Sequence, residues 1–275
     1  MVNQRRERAL SYTEIRFEIS DQVATLTMAR DDRRNTLTDA GVIDEIVDAV
    51  GRAEAEGARA LILTGDGSAF SAGGNLKEAQ KRSENDAPAD LRLFYTDGIH
   101  RMVKALRAVE IPVIAAVNGP AMGAGFDLVL YCDIAIASEC AKFCEAFINI
   151  GLIPGDGGIW IMQRRLGWQV AAELAFTGRV LDAEEALGLG VVREVVAPDQ
   201  LMKRAGEIAR QIAARPPLAI KYMKMLMRQA PEQGLDEHLS HCAALQALCQ
   251  KSEDHAAAIQ TFLERSDKTP TFVGR

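Results

Sequence analysis

Two glycine-bearing segments, each set behind a short apolar run, constrain this chain more than any other feature. The first run, 60–64, leads through the turn Gly65-Asp66-Gly67-Ser68 into Phe70-Ser71-Ala72-Gly73-Gly74-Asn75. The second, 113–117, leads into Asn118-Gly119-Pro120-Ala121-Met122-Gly123-Ala124-Gly125 and then an apolar stretch over 126–131. Short continuous apolar runs bounded by turn residues read as strands buried on both faces. Glycine behind such a strand lets the backbone approach a ligand closely. A helix starting there aims unpaired N–H groups at whatever occupies the turn. A dinucleotide-binding loop fits poorly, because Leu128 stands where the third glycine belongs, and neither segment carries the Gly-Lys-Ser/Thr of a phosphate-binding loop.

The remaining pattern gives a layered α/β chain. Residues 15–19 alternate apolar and polar, and 23–28 follow after Ser20-Asp21-Gln22, which predicts a β-hairpin. Thr38 is placed as an N-cap for a helix whose apolar face is Val42, Ile43, Ile46, Val47 and Val50. Residues 77–90 are polar without apolar period and read as a mobile surface loop. Helical spacing resumes with Leu91, Phe94, Tyr95, Met102, Val103 and Leu106, and 133–137 reads as another strand. Beyond about 197 strand signals vanish, and helices are expected over 199–214, 217–229 and from 235 to the tail. We therefore divide the chain into an α/β core, 1–197, and a helical C-terminal region, 198–275. The Met223/Met227 face reads as packing or subunit contact.

With 275 residues, one large hydrophobic core is possible. The net charge of −6 disfavours nucleic-acid or membrane surfaces but leaves room for a small basic pocket. Residues such as Arg5, Arg6 and Arg8 precede no apolar run, and no stretch approaches a membrane span. The five cysteines form no C-x-x-C pair and read as reduced thiols of a cytoplasmic protein. Cys140 and Cys144, four apart, would meet on a helix; packing is the expected role. His238 and His241 lack the partners of a metal site, so no metal is expected. Ser71 has neither a G-x-S-x-G frame nor a histidine partner by motif.

Taken in order, the motifs resemble the crotonase family, also called the enoyl-CoA hydratase/isomerase family. Arg30-Asp31-Asp32-Arg33-Arg34-Asn35-Thr36-Leu37 is similar to R-P-x-x-R-N-A-L, with Asp31 replacing proline. Phe70–Leu76 is similar to F-x-A-G-A-D-L, and Ala116-Val117-Asn118-Gly119 with Gly123-Ala124-Gly125 to A-V-x-G followed by G-G-G. Tyr131-Cys132-Asp133-Ile134 is similar to x-C-D-I, and the run from Gly151 through Pro154 to Gly157-Gly158 to G-x-x-P-x-x-G-G. Thr177-Gly178 through Glu185-Ala186 to Gly190-Val191-Val192 is similar to the later T-G-x-x-x-x-A-x-E-A-x-x-x-G-L-V run. The resemblance implies a spiral of ββα units with a helical trimerisation region, an acyl-CoA substrate, no cofactor beyond its CoA moiety, and assembly as a homo-trimer or hexamer.

It also implies site roles. The amides of Ala72 and Ala124 would form an oxyanion hole for a thioester enolate. Ala72, Gly73, Gly74, Asn75, Leu76 and Gly123 would border the CoA, with Arg33 or Arg34 toward its phosphates and Phe262 and Arg265 toward a neighbour's CoA. A hydratase of the family flanks the double bond with two glutamates. Here Asp127 stands at the first position and Phe147 at the second. Adding water needs a carboxylate to orient and deprotonate it, whereas moving a double bond needs one mobile base. Asp127 leads as that base, with Asp156 and Glu145 as further candidates. Against them stand an N-cap role for Asp156 at a helix starting near Gly157 and a surface ion pair for Glu145. If 143–147 is extended, Glu145 and Phe147 share a face. Phe126, Phe143 and Phe147 would then line an apolar pocket that raises the carboxylates' pKa. Isomerisation therefore ranks ahead of hydration, then acyl-CoA hydrolysis, with a catalytically inactive crotonase-fold binding protein as the rival from outside enzymology.

Overall fold

The computed structural model describes residues 12–38, 40–264 and 270–275. β1 (Ile15–Ser20) and β2 (Val23–Met28) form the expected antiparallel hairpin, and α1 (Ala40–Ala55) follows. The Thr38 hydroxyl accepts the Asn75 N–H at 3.0 Å, tying the entry of α1 to the first glycine segment; the residue directly before α1 lies outside the described residues. After β3 (Ala60–Gly65) come α2 (Leu76–Asn85), α3 (Pro88–Asp97) and α4 (Ile99–Ala108). β4 (Val113–Val117), the two-residue β5 (Ala121–Met122), α5 (Ala124–Tyr131) and β6 (Ile134–Ser138) carry the second glycine segment. β7 (Lys142–Cys144), α6 (Gly158–Leu166), α7 (Trp168–Thr177), β8 (Val180–Asp182), α8 (Ala183–Gly188) and β9 (Glu194–Val196) complete the core chain. Then come α9 (Leu201–Ala213), α10 (Pro217–Gln229), α11 (Leu235–Gln250) and α12 (Glu253–Leu263).

The main sheet runs β1-β2-β3-β4-β6-β9, parallel throughout except for the β1–β2 pair. Both of its faces are buried, which is why its central strands read as unbroken apolar runs. Alternation splits each strand between two cores. Leu61, Leu63, Val113, Ala115 and Val117 face the α1 and α5 side, whereas Ala60, Ile62, Ile114, Ala116 and Ile136 face α9. α9 presents Leu201, Ala205, Ala209 and Ala213, four residues apart on one stripe. The three alanines let its backbone lie close to the sheet. α9 thus packs on the core sheet although it lies beyond the change of character at residue 197.

The segment 77–90 is not a loop. Most of it is α2 and the start of α3, and no α2 residue is buried. The Asn75 side chain accepts the N–H groups of Lys77 and Glu78, and the pairs Gln80–Glu84 and Arg82–Asp86 bridge successive turns. Local capping and i,i+4 pairs support a helix that has no apolar stripe to reveal it. The tail helix is also interrupted: α11 ends before Ser252, whose hydroxyl accepts the His255 N–H to start α12. Cys140 is exposed and Cys144 is buried in β7, so they share no helix. Phe126 and Phe143 pack against each other in the core, ring centroids 5.6 Å apart and planes tilted by 58°, and neither lines the cavity at the glycine segments.

Candidate active site

The second, three-stranded sheet, β5-β7-β8, brings the two glycine segments together. Ser71 bridges Ala121: the Ser71 N–H donates to the Pro120 carbonyl at 3.1 Å, and the Met122 N–H to the Ser71 carbonyl at 2.9 Å. Gly73, at φ +75°, sits so near this strand that a Cβ would fall 2.2 Å from the Met122 carbonyl oxygen. The Ser71 hydroxyl donates to the Asn35 carbonyl at 2.7 Å and accepts the Gly73 N–H. It is a buried structural group, not a nucleophile.

A cavity of ≈ 560 Å³ opens where the segments meet. Among the residues expected at the site, Ala72, Gly74, Asn75, Leu76, Gly123, Ala124, Phe147 and Asp156 line it. Gly73, Asp127, Glu145, Arg33, Arg34 and Phe262 do not. Arg33 is held by Glu14, and Arg34 is exposed. Phe262 is 81% exposed on α12, and Arg265 lies outside the described residues. The opposite wall was missed because 77–90 read as loop. It holds Arg82, whose guanidinium lies over the Phe94 ring at 4.1 Å, with Tyr95 and Ile99. Phe94 and Tyr95 were legible as an apolar helical face, but nothing in the spacing aimed them at a site.

At the inner end three carboxyl groups meet. Asp127, Glu145 and Asp156 are 1%, 1% and 5% exposed, and no N–H or O–H group of the described residues donates to either oxygen of Asp127 or Glu145. Each comes from a different element: Asp127 from the first turn of α5, Glu145 from just behind β7, Asp156 from the turn before α6. The segment 143–147 is not extended throughout. The strand ends at Cys144 and a 3-10 turn, Ala146–Ile150, begins at once, so Glu145 turns into the protein and Phe147 toward the cavity. Glu145 therefore makes no surface ion pair. α6 has Gly157, at φ +87°, as its N-cap and no side-chain cap bond. A Cβ on Gly158 would lie 2.1 Å from Asp127 Oδ2, so only glycine allows α6 to close over this carboxyl.

Burial is the first cause of the raised pKa of all three groups. Glu145 is pushed up to about 8, with the Asp156 charge adding to the effect. Asp127 is driven well above the carboxylate range by burial and then by both neighbours. Burial also raises Asp156, opposed first by a hydrogen bond with Asp127, then by the backbone N–H groups of Asp156 and Gly158 and by the nearby His100. The three buried carboxyls are coupled and titrate as one unit. Asp156 is the member that faces the cavity. Its turn is pinned from outside: His100 Nε2 lies 2.7 Å from the Gly155 carbonyl, the Tyr131 hydroxyl donates to the Gly157 carbonyl at 3.0 Å, and a Cβ on Gly155 would strike Tyr95.

The two alanine amides differ. Ala124 is the first residue of α5, so its N–H has no intrahelical acceptor, and no other carbonyl of the described residues takes it. The Ala72 N–H is not free: it donates to the Arg34 carbonyl at 2.8 Å. Arg34 and Asn35 both hold left-handed backbone, φ 50° and 55°, and so turn that carbonyl inward.

The chain matches the enoyl-CoA hydratase/isomerase family model over residues 18–273. The chain belongs to this family. It is 34% identical to the 1,2-epoxyphenylacetyl-CoA isomerase of Escherichia coli, over 92% of this chain and 95% of that protein. To the short-chain-enoyl-CoA hydratase of Clostridium acetobutylicum it is 33% identical, over 90% of this chain and 94% of that protein. The crystal structure of an enoyl-CoA hydratase from Bacillus anthracis superposes with a TM-score of 0.89 at 30% identity, covering 96% of this chain and all of that one. The protein is thus an enoyl-CoA hydratase/isomerase family enzyme with the crotonase fold. Relatives of comparable identity are named for different reactions.

Proposed function

We propose that this enzyme relocates the double bond of an enoyl-CoA or dienoyl-CoA, with Asp156 as the mobile base. The carrying observation is the cavity's inner end: of three buried carboxyls, Asp156 alone lines the cavity, and Phe147 fills the place where a hydratase of the family has its second glutamate. From a 3-enoyl thioester, Asp156 takes a proton from C2. The electron pair moves to the thioester oxygen as a dienolate, and the proton returns at C4 to leave the 2-enoyl product. A raised pKa suits a group that must both take and return that proton. Hydration would further require a bound water and a second carboxylate reaching it, and the aromatic ring of Phe147 offers neither.

The Ala124 N–H is the principal donor to the developing oxyanion, and the Ala72 N–H joins it by sharing its hydrogen between the Arg34 carbonyl and the thioester oxygen. Ala124→Pro tests this, since proline is well tolerated at the first helical residue, removes the N–H and sets a ring methylene where the oxyanion would sit. We expect kcat to fall roughly 100- to 1000-fold. A folded variant with undiminished kcat removes Ala124 from the mechanism. The isomerisation reading itself is tested by following 3-enoyl-CoA isomerisation and crotonyl-CoA hydration side by side on one preparation.

The same reading includes assembly as a trimer or hexamer of copies of this chain. It is supported by the large apolar side chains left exposed on the C-terminal helices and on α7, among them Leu235, Phe262, Trp168 and Phe176. Light scattering at micromolar concentration is expected to give three or six times the 29.9 kDa chain mass. A stable monomer contradicts it.

A further inference from the structure

A second cavity of ≈ 430 Å³ lies behind the carboxyl cluster, between α10 and the core, within the size range of small-molecule sites. Tyr131 separates the two: its ring lines this cavity, while its hydroxyl bonds to the Asp156 and Gly157 carbonyls. The walls carry Arg107, Arg164, Arg165, Lys224 and Arg228 against two carboxylates, Asp133 and Glu232. Lys224 is buried and takes Asp133, at 2.5 Å. Arg165 donates to the Cys132 carbonyl at 2.5 Å. Arg107, Arg164 and Arg228 have no carboxylate within ion-pairing distance among the described residues; Arg164 and Arg228 bond only to the carbonyls of Trp160 and Leu106. Arg107 and Arg164 both lie over Trp160, 4.9 and 3.9 Å from the ring centroid, which fixes their planes. Burial disfavours the Arg228 cation, and the charge of Arg107 adds to this while Asp133 opposes it. A chain with net charge −6 therefore holds a local cluster of five cations against two carboxylates.

The remaining wall is apolar: Ile161, Ile220, Met223 and Met227, with Pro112 and Pro231. A bare hydrated ion would waste that wall, and a neutral apolar molecule would leave the arginines unpaired. We propose that this cavity binds a small amphiphilic carboxylate, its head met by the guanidinium forks of Arg107, Arg164 and Arg228 and its apolar body lying on Ile161, Ile220 and Met227. Arginine suits the head because its planar fork matches a carboxylate's two oxygens.

The chain has two tryptophans, and Trp168 is exposed on α7, so Trp168→Phe leaves Trp160 as the reporter. Octanoate, 1-octanol and inorganic phosphate are titrated separately into the full-length protein. Octanoate is expected to change Trp160 emission saturably, and octanol and phosphate at equal concentration are not. Arg107→Gln and Arg164→Gln should each weaken octanoate at least about tenfold, as befits loss of a charge-assisted pair. Arg164 is exposed, so its variant carries the test if Arg107→Gln fails to fold. Octanol binding as tightly as octanoate, phosphate binding as tightly as octanoate, or an unchanged affinity in Arg164→Gln overturns the proposal. So does a lack of octanoate response in an oligomer where a second copy shields Trp160 from iodide. The readout does not involve turnover, so it stands or falls apart from the isomerase reading.

Discussion

Asp156→Asn lowers kcat for 3-enoyl-CoA isomerisation by roughly 1000-fold, within the range general acid–base groups supply, while KM changes less than about threefold. The amide keeps the shape of the carboxyl and its place in the turn before α6, so the cavity wall formed by residues 72–76 is untouched. What is lost is the one carboxyl of the three that lines the cavity. Asp127→Asn is expected to be milder, because Asp127 does not line the cavity. Steady-state kinetics of both variants check this. An Asp156→Asn enzyme with near-normal kcat, beside an inactive Asp127→Asn enzyme, returns the base to Asp127.

Glu145→Gln strongly changes the pH dependence of stability. In the unfolded chain Glu145 loses its proton near 4.5; in the folded protein it holds it to about 8. Between those values the folded state binds more protons, so stability falls as pH rises. The contribution is fully present below the unfolded pKa and lost as pH rises through the folded one. Each pKa unit corresponds to about 1.4 kcal/mol, so the loss reaches several kcal/mol in alkaline solution. Glutamine cannot ionise and escapes it. The variant should melt with or slightly below the wild type at pH 5 and about 5–10 °C above it at pH 9, using the usual conversion for a chain of this size. A melting difference that stays constant from pH 5 to pH 9 shows that Glu145 is not the proton holder.

The elements that bury a periodic face were legible in the sequence. The β1–β2 hairpin, β3, β4, α1, α5 and α9 each repeat apolar residues at the spacing of the surface they cover. α2 was not legible, because it buries nothing and depends on the Asn75 cap and pairs across its turns. The strands of two or three residues, β5, β7, β8 and β9, are too short for any period, yet β5 and β7 set the site. At the site, the motifs located the glycine turns and all three carboxylates. They did not reveal that the carboxylates touch, because the contact depends on the turn at Cys144–Glu145 and on the missing side chain of Gly158. Nor did they reveal that the Ala72 amide is engaged, which follows from two left-handed residues, Arg34 and Asn35, in a segment whose side chains alone resemble the family. Side-chain identity marks where chemistry sits, and backbone handedness decides which groups are free to perform it.

The most direct measurement is proton NMR of the products formed from a 3-enoyl-CoA and from crotonyl-CoA in D2O by the wild type and by Asp156→Asn. The account predicts that the wild type converts the 3-enoyl-CoA to the 2-enoyl-CoA, with solvent deuterium entering the acyl chain, faster than it forms 3-hydroxyacyl-CoA from crotonyl-CoA. It also predicts that Asp156→Asn loses the first reaction. Rapid formation of 3-hydroxyacyl-CoA that persists in Asp156→Asn contradicts it.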